Sequence, residues 1–449
     1  MSNRDELIKW DKDHLLHTFR PTSAGPIVIF KEVKKDSHVV LLDLEGKEYI
    51  DLGAQVVDVN LGHGQKRIVD AVAKQMSAFQ HIVTVMGYSN PTTIDCAHRL
   101  AGIVPEGLGH FLFTSGGSES VETAIRIARH YWEIKGKQKR VIISLLNGYH
   151  GMTLGSGSAT GISRMWAGGL PAPDFVHVPG YYCYRCYLGE QYPSCNIRCA
   201  QFIEKTILAL GQDRVAALIA EPVQGVGGSI DPPAEWWPMV RDICNKHEVL
   251  LIADEVMCGF GRTGKMFAVE NWDISPDIMT MAKGINSGYV PFAAVAINDE
   301  IFNFFQDKPI MVGGFTYSGH PVGAAAAIAA MDLYKSENVI DNVNTVGKHA
   351  RERLESEFLP LPNVGCIHGL GLMLSVELVT DKKTKSVPPI NATQELTRRG
   401  RENGLLFRCA MFDKIQVAPP LIISLEEMDK GLDILLDLVR DFGSCLAGS

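Results

Sequence analysis

The sequence predicts an α/β protein: a large domain with a mostly parallel sheet between helices, and a smaller α+β domain. Three observations predict it. Between about residues 61 and 325, short apolar runs alternate with helix-period segments, the pattern of strands covered on both faces. From 326 to the end, long helices flank a few short strands. At 449 residues, with 46% hydrophobic and 21% charged residues, the chain has the length for two or three domains and a globular composition, which excludes a disordered or fibrous protein.

In order along the chain, residues 1–60 read as a lead-in that joins the small domain. They hold strands around Pro26–Val33 and Val39–Asp43 and a turn at Glu45-Gly46-Lys47. In the large domain, 61–325, His110–Thr114 and Val141–Leu146 read as strands. Between them Ser118–Lys135 reads as a helix with Val121, Ala124, Ile125, Ala128, Tyr131 and Trp132 on one face. Ala216–Ala220, Val249–Ala253, Ile278–Ala282 and Ala293–Ile297 add strands, and Ala234–His247 a helix. The small domain, 326–449, carries helices over Asp341–Phe358, Asn391–Asn403 and Glu426–Phe442, with strands near Leu372–Leu378 and Ile415–Val417.

A formal charge of −8 and the lack of a long basic run speak against a nucleic-acid partner. The longest apolar run, Pro321 to Met331, is too short to span a bilayer. The polar start at Met1-Ser2-Asn3-Arg4 has no signal-type apolar stretch. The expectation is a soluble, cytoplasmic protein without a membrane partner.

Four segments carry chemistry. Phe113-Thr114-Ser115-Gly116-Gly117-Ser118-Glu119 ends a strand, turns on small residues and opens a helix. Its free backbone N–H groups make an anion site, though taken alone the segment reads first as an ordinary helix start. Asn147-Gly148-Tyr149-His150-Gly151 places an aromatic ring just after a strand, where it stacks on a flat ligand or packs in a turn. Asp254 and Glu255 finish a buried strand, and a carboxylate there needs a partner: a protonated heterocycle nitrogen or a salt bridge. Lys283 ends an apolar run before Gly284. If desolvated it has a lowered pKa and forms an imine with a carbonyl; otherwise it is a surface lysine. Taken together, a phosphate cradle, a stacking ring, a ring-nitrogen carboxylate and an imine-forming lysine are what pyridoxal 5′-phosphate requires.

Two further motifs compete. Gly259-Phe260-Gly261-Arg262-Thr263-Gly264 spells the dinucleotide-binding glycine pattern, but no clear helix-period segment follows. Cys183, Cys186, Cys195 and Cys199 are spaced for structural zinc, a local disulfide or four reduced thiols. No metal is assigned.

From Trp10 to about Val439 the chain resembles the class III (ω-) aminotransferases. The likeness rests on Gly46-Lys47-Glu48-Tyr49-Ile50-Asp51, Asn60-Leu61-Gly62-His63-Gly64, Tyr149-His150-Gly151, Glu221-Pro222-Val223-Gln224-Gly225, Asp254-Glu255-Val256, Phe315-Thr316-Tyr317-Ser318-Gly319-His320-Pro321 and Ala418-Pro419-Pro420-Leu421. The resemblance implies fold type I with a seven-stranded-type sheet, and pyridoxal 5′-phosphate as cofactor. By resemblance, Lys283 is the imine-forming lysine and proton shuttle, and Asp254 the partner of the ring nitrogen. Tyr149 and Val256 take the two ring faces. Gly117 and Ser118 hold the phosphate with Thr316 of a second subunit, which implies a homodimer with shared sites. Glu221 and Arg408 handle substrate charge. Val57 stands where many members have Trp, which implies a roomier pocket wall. The implied reaction moves an amino group from taurine, β-alanine, 4-aminobutyrate, a diamine or a similar donor to a 2-oxo acid, pyruvate first and 2-oxoglutarate second. The family also contains decarboxylases, phospho-lyases and mutases on the same cofactor site, so those reactions stay open.

Overall fold

The computed structural model describes residues 4–447, apart from 167 and 170. Met1, Ser2 and Asn3, where the polar amino-terminal run begins, lie outside the described residues. A seven-stranded sheet organises the molecule. Its order across the sheet is His110–Thr114, Ala293–Ile297, Ile278–Met281, Leu250–Asp254, Val215–Ala220, Val141–Leu145 and Phe175–Val178. Ala293–Ile297 pairs antiparallel with both of its neighbours, and the other pairings are parallel. The expected mostly parallel α/β sheet is therefore present.

The strand sequences explain their position. Val215–Ala220 and Leu250–Asp254 are buried at every residue, which suits continuous apolar runs covered on both faces. Each Ile, Leu or Val buried there contributes about 1.5–3 kcal/mol. On one side the amphipathic helix Gly117–Ile134 buries Val121, Ala124, Ile125, Ala128, Tyr131 and Trp132, the face expected from the sequence. There are two further four-stranded sheets among the described residues. One joins Phe30–Val33, Val40–Asp43 and Glu48–Asp51 to Leu405–Leu406, with the last pairing parallel. The other runs Val364–Leu370, Met373–Leu378, Lys414–Val417, Arg408–Ala410 and is antiparallel throughout.

Some elements differ from expectation. The first strand begins at Phe30 and not at Pro26; proline has no N–H for a ladder. The helix expected to run unbroken from Asp341 to Phe358 is α-helical over Val339–Arg353 and widens to a π turn over Leu354–Phe358. The parallel edge strand Phe175–Val178 was not expected, since only Val178 in it is fully buried and its apolar signal is weak. Among the described residues no helix is long and apolar enough to cross a membrane.

Candidate active site

Parallel strands end at one edge of the central sheet, and the chain places its reactive side chains there. A cavity of about 370 Å³ opens at that edge, in the size range of small-molecule sites. The loop after His110–Thr114 contributes Ser115, Gly116, Gly117 and Ser118; the loop after Val141–Leu145 contributes Tyr149, His150 and Gly151. Glu221 follows Val215–Ala220, Asp254 ends its own strand, and Ala282 and Lys283 follow Ile278–Met281. The antiparallel strand begins at the same edge, so Pro291 and Phe292 complete that wall.

The helix Gly117–Ile134 aims its N-terminus at this cavity. A Cβ built on Gly117 would lie 2.7 Å from Val256 Cγ1, so only glycine lets the backbone come this close. Ser118 Oγ accepts a hydrogen bond from Met152 N at 3.1 Å, which ties the two loops together.

Asp254 is 3% exposed and accepts from three donors. His150 Nδ1 donates to its Oδ2 at 2.8 Å, while Thr280 Oγ1 (3.0 Å) and Val256 N (3.1 Å) donate to its Oδ1. A carboxylate has about four acceptor positions, so one more donor fits. Its neighbour Glu255, just past the strand, does not line the cavity. Glu255 accepts from Val269 N at 2.8 Å, and burial pushes its pKa up to about 8.

Lys283 takes a left-handed conformation (φ 42°) right after its strand. Gly284 lets this turn pack closely, since a Cβ there would lie 2.5 Å from Asn60 Nδ2. Burial, then the Arg408 charge, lowers the Lys283 pKa to about 8, against weaker support from Asp58, Glu221 and Asp254. Glu221 holds Tyr149 N (2.9 Å) and Gly225 N (2.8 Å), one on each oxygen. Burial still pushes its pKa up to about 7.

The family model for class-III aminotransferases matches residues 22–439. The chain belongs to the class-III aminotransferases.

This aminotransferase is 37% identical over 402 residues to the putrescine–pyruvate aminotransferase of Pseudomonas aeruginosa, covering 89% of this chain and 88% of the relative. It is 33% identical to the mitochondrial gamma aminobutyrate transaminase 1 of Solanum lycopersicum, covering 95% of this chain and 82% of that one. Its fold matches the (S)-enantioselective omega-transaminase of Thermomicrobium roseum with a TM-score of 0.94 at 38% identity, covering 98% and 99% of the two chains. The fold is that of the type I pyridoxal-phosphate transaminases.

Class-III aminotransferases use pyridoxal phosphate, and the cavity of this member has the donor set for it: a glycine-lined helix N-terminus for a phosphate, an anchored carboxylate, and a desolvated lysine. Seven of the residues expected from the sequence line this one cavity: Gly117, Ser118, Tyr149, Glu221, Asp254, Val256 and Lys283. Three do not. Thr316 is exposed and lies outside the cavity of its own chain. Arg408 stands behind the lining, where its Nη2 donates to Gln416 Oε1 at 2.7 Å, though its charge acts on Lys283. Val57 is corrected. The backbone turns sharply at Gln55 (φ 60°, ψ −102°) and Val56. Val57 therefore packs with Val223, Met257 and Ala418, and the flanking Val56 and Asp58 line the cavity instead.

Sequence reasoning missed His150 as the partner of Asp254, and missed Asp58. His150 lay inside the quoted Tyr149-His150-Gly151 motif, but a pairing 104 positions away has no local signal. Gly259–Gly264 forms turns, with Gly261 N bonded to Met266 O at 3.1 Å, and opens no helix. Arg262 within it is buried and donates to Leu372 O and Asn60 Oδ1. Cys183, Cys186, Cys195 and Cys199 are free thiols lining a separate small cavity. Among the described residues, no three His, Cys, Asp or Glu side chains are arranged to hold a metal ion.

Proposed function

We propose that this aminotransferase moves the amino group of an ω-amino acid or amine to a 2-oxo acid, with pyruvate as acceptor, in a ping-pong reaction centred on Lys283. The observation that carries the reading is the convergence of a lowered-pKa lysine and an anchored aspartate on one cavity beside the helix N-terminus at Gly117. Bound pyridoxal phosphate would supply an electron sink at the donor's amine-bearing carbon. Gly117 and Ser118 bind the phosphate at the helix N-terminus, and Thr316 of a second subunit adds to it. Tyr149 and Val256 orient the ring between them. Asp254 holds a proton on the ring nitrogen. Lys283 Nζ would hold the aldehyde and, once freed by the donor, its amine would take the proton from the donor carbon and pass it to the former aldehyde carbon. A pKa of about 8 leaves part of the amine unprotonated near neutral pH. Glu221 and Arg408 meet substrate charge, and Arg408 suits the acceptor carboxylate.

The assignment as a homodimer draws support from apolar residues left on the surface: Met86, Tyr88, Met311 and Tyr317 are each more than half exposed. Their segments are joined by the Thr84 Oγ1 hydrogen bond to Ser318 O (3.0 Å), and such patches mark association. We assign the enzyme to the cytoplasm.

The test is a panel of amines and ω-amino acids against pyruvate and 2-oxoglutarate, with both products identified. Amino transfer that needs the 2-oxo acid is expected, with parallel double-reciprocal lines and pyruvate the better acceptor. Turnover of the amine without any 2-oxo acid would point to a lyase or mutase and contradict the proposal.

A further inference from the structure

We infer that Asp58 reads the far end of the amino donor and selects donors that carry a second cation, the α,ω-diamines. The inference rests on the aminotransferase reading above and names its donor class. Three carboxylates line the cavity: Asp58, Glu221 and Asp254. Two already accept hydrogen bonds on both oxygens. Asp254 is held by His150, Thr280 and Val256. Glu221 spends one oxygen on each of two backbone N–H groups.

Asp58 differs from both. It is half-buried at the end of the sharply turned 54–57 segment. Its Oδ1 accepts from Val56 N at 3.0 Å. Its Oδ2 accepts no hydrogen bond among the described residues, and it packs against Gly288, where a Cβ would lie 2.9 Å away. The cations whose fields it feels, Lys283, Arg408 and the buried Arg262, form no ion pair with it. Once Lys283 is joined to the cofactor, Asp58 keeps an open acceptor in the cavity. A carboxylate so placed is stabilised by a donor whose distal group is an ammonium, and repels one whose distal group is a carboxylate or sulfonate. The same cavity then presents Asp58 to a diamine in one half-reaction and the Arg408 charge to a 2-oxo acid in the other.

Three four-carbon donors isolate the effect, because the reacting end is the same in each: 1,4-diaminobutane, butylamine and 4-aminobutyrate. With the holoenzyme and saturating pyruvate, kcat/KM is expected to fall in that order. In Asp58→Asn the preference for diaminobutane over butylamine should shrink by about 10- to 100-fold, the loss of one charge-assisted contact, chiefly through KM. 4-Aminobutyrate should improve severalfold. Asp58→Glu should keep the wild-type order. A common factor for all three donors in Asp58→Asn would overturn the inference and leave Asp58 as a support for the fold or for Arg408. If the variant does not fold, the wild-type order still decides: 4-aminobutyrate ahead of diaminobutane contradicts a cation-reading Asp58 while leaving the transferase intact. No transfer from any donor to pyruvate or 2-oxoglutarate would instead overturn the aminotransferase reading itself.

Discussion

Replacing Lys283 by Ala is expected to lower kcat/KM for every donor by at least about 10⁴-fold, since one amine both anchors the aldehyde and moves the proton. Added ethylamine, small enough for the vacated space, should restore part of the rate. The fold should not suffer. Burial and the Arg408 charge lower the Lys283 pKa from 10.5 to about 8, so the charged amine is a cost in the folded protein. The sign follows from proton binding: between pH 8 and 10.5 the unfolded chain holds a proton that the folded chain has released, so this cost is full below pH 8 and vanishes above about 10.5. Cofactor-free Lys283→Ala should therefore melt above cofactor-free wild type at pH 7, with the gap closing as pH rises through that window. A variant that keeps full activity, or melts far below wild type at pH 7, contradicts the role assigned to this amine.

Asp254→Asn is expected to lower kcat by about 10²- to 10³-fold while the protein still takes up cofactor. The amide keeps the shape but not the charge that holds a proton on the ring nitrogen, and removing one such electrostatic contact costs about that much. His150→Gln should have a smaller effect in the same direction, because Thr280 and Val256 still anchor the carboxylate. Activity of Asp254→Asn can be followed in single turnovers with the donor alone. An unchanged rate there would show that the carboxylate is structural.

The sequence made the strand-end residues legible because each sits where two local signals meet. At Gly117 a buried strand stops and an amphipathic face begins; at Lys283 an apolar run ends in a charge followed by glycine. The buried helix face of Val121 to Trp132 was legible for a similar reason, as its period is carried by neighbouring residues. What escaped depends on contacts between distant positions or on local turns. The Asp254–His150 bond joins residues 104 apart. Val56 and Asp58, and not Val57, line the cavity because the backbone turns at Gln55, which no side-chain pattern announces. Phe292 enters the cavity only because its strand runs opposite to its neighbours. Arg185 reaches from the cysteine-bearing loop to Glu377 and Asp413, 2.5 Å away in each case, and so fixes that loop to the antiparallel sheet, a link no spacing rule contains.

The central claim concerns the bond at Lys283, and reduction of the purified enzyme with borohydride, followed by digestion and mass mapping, tests it most directly. The expected result is a single pyridoxyl-phosphate adduct on the peptide containing Lys283. An adduct on a different lysine, or none after incubation with pyridoxal phosphate, would contradict the account.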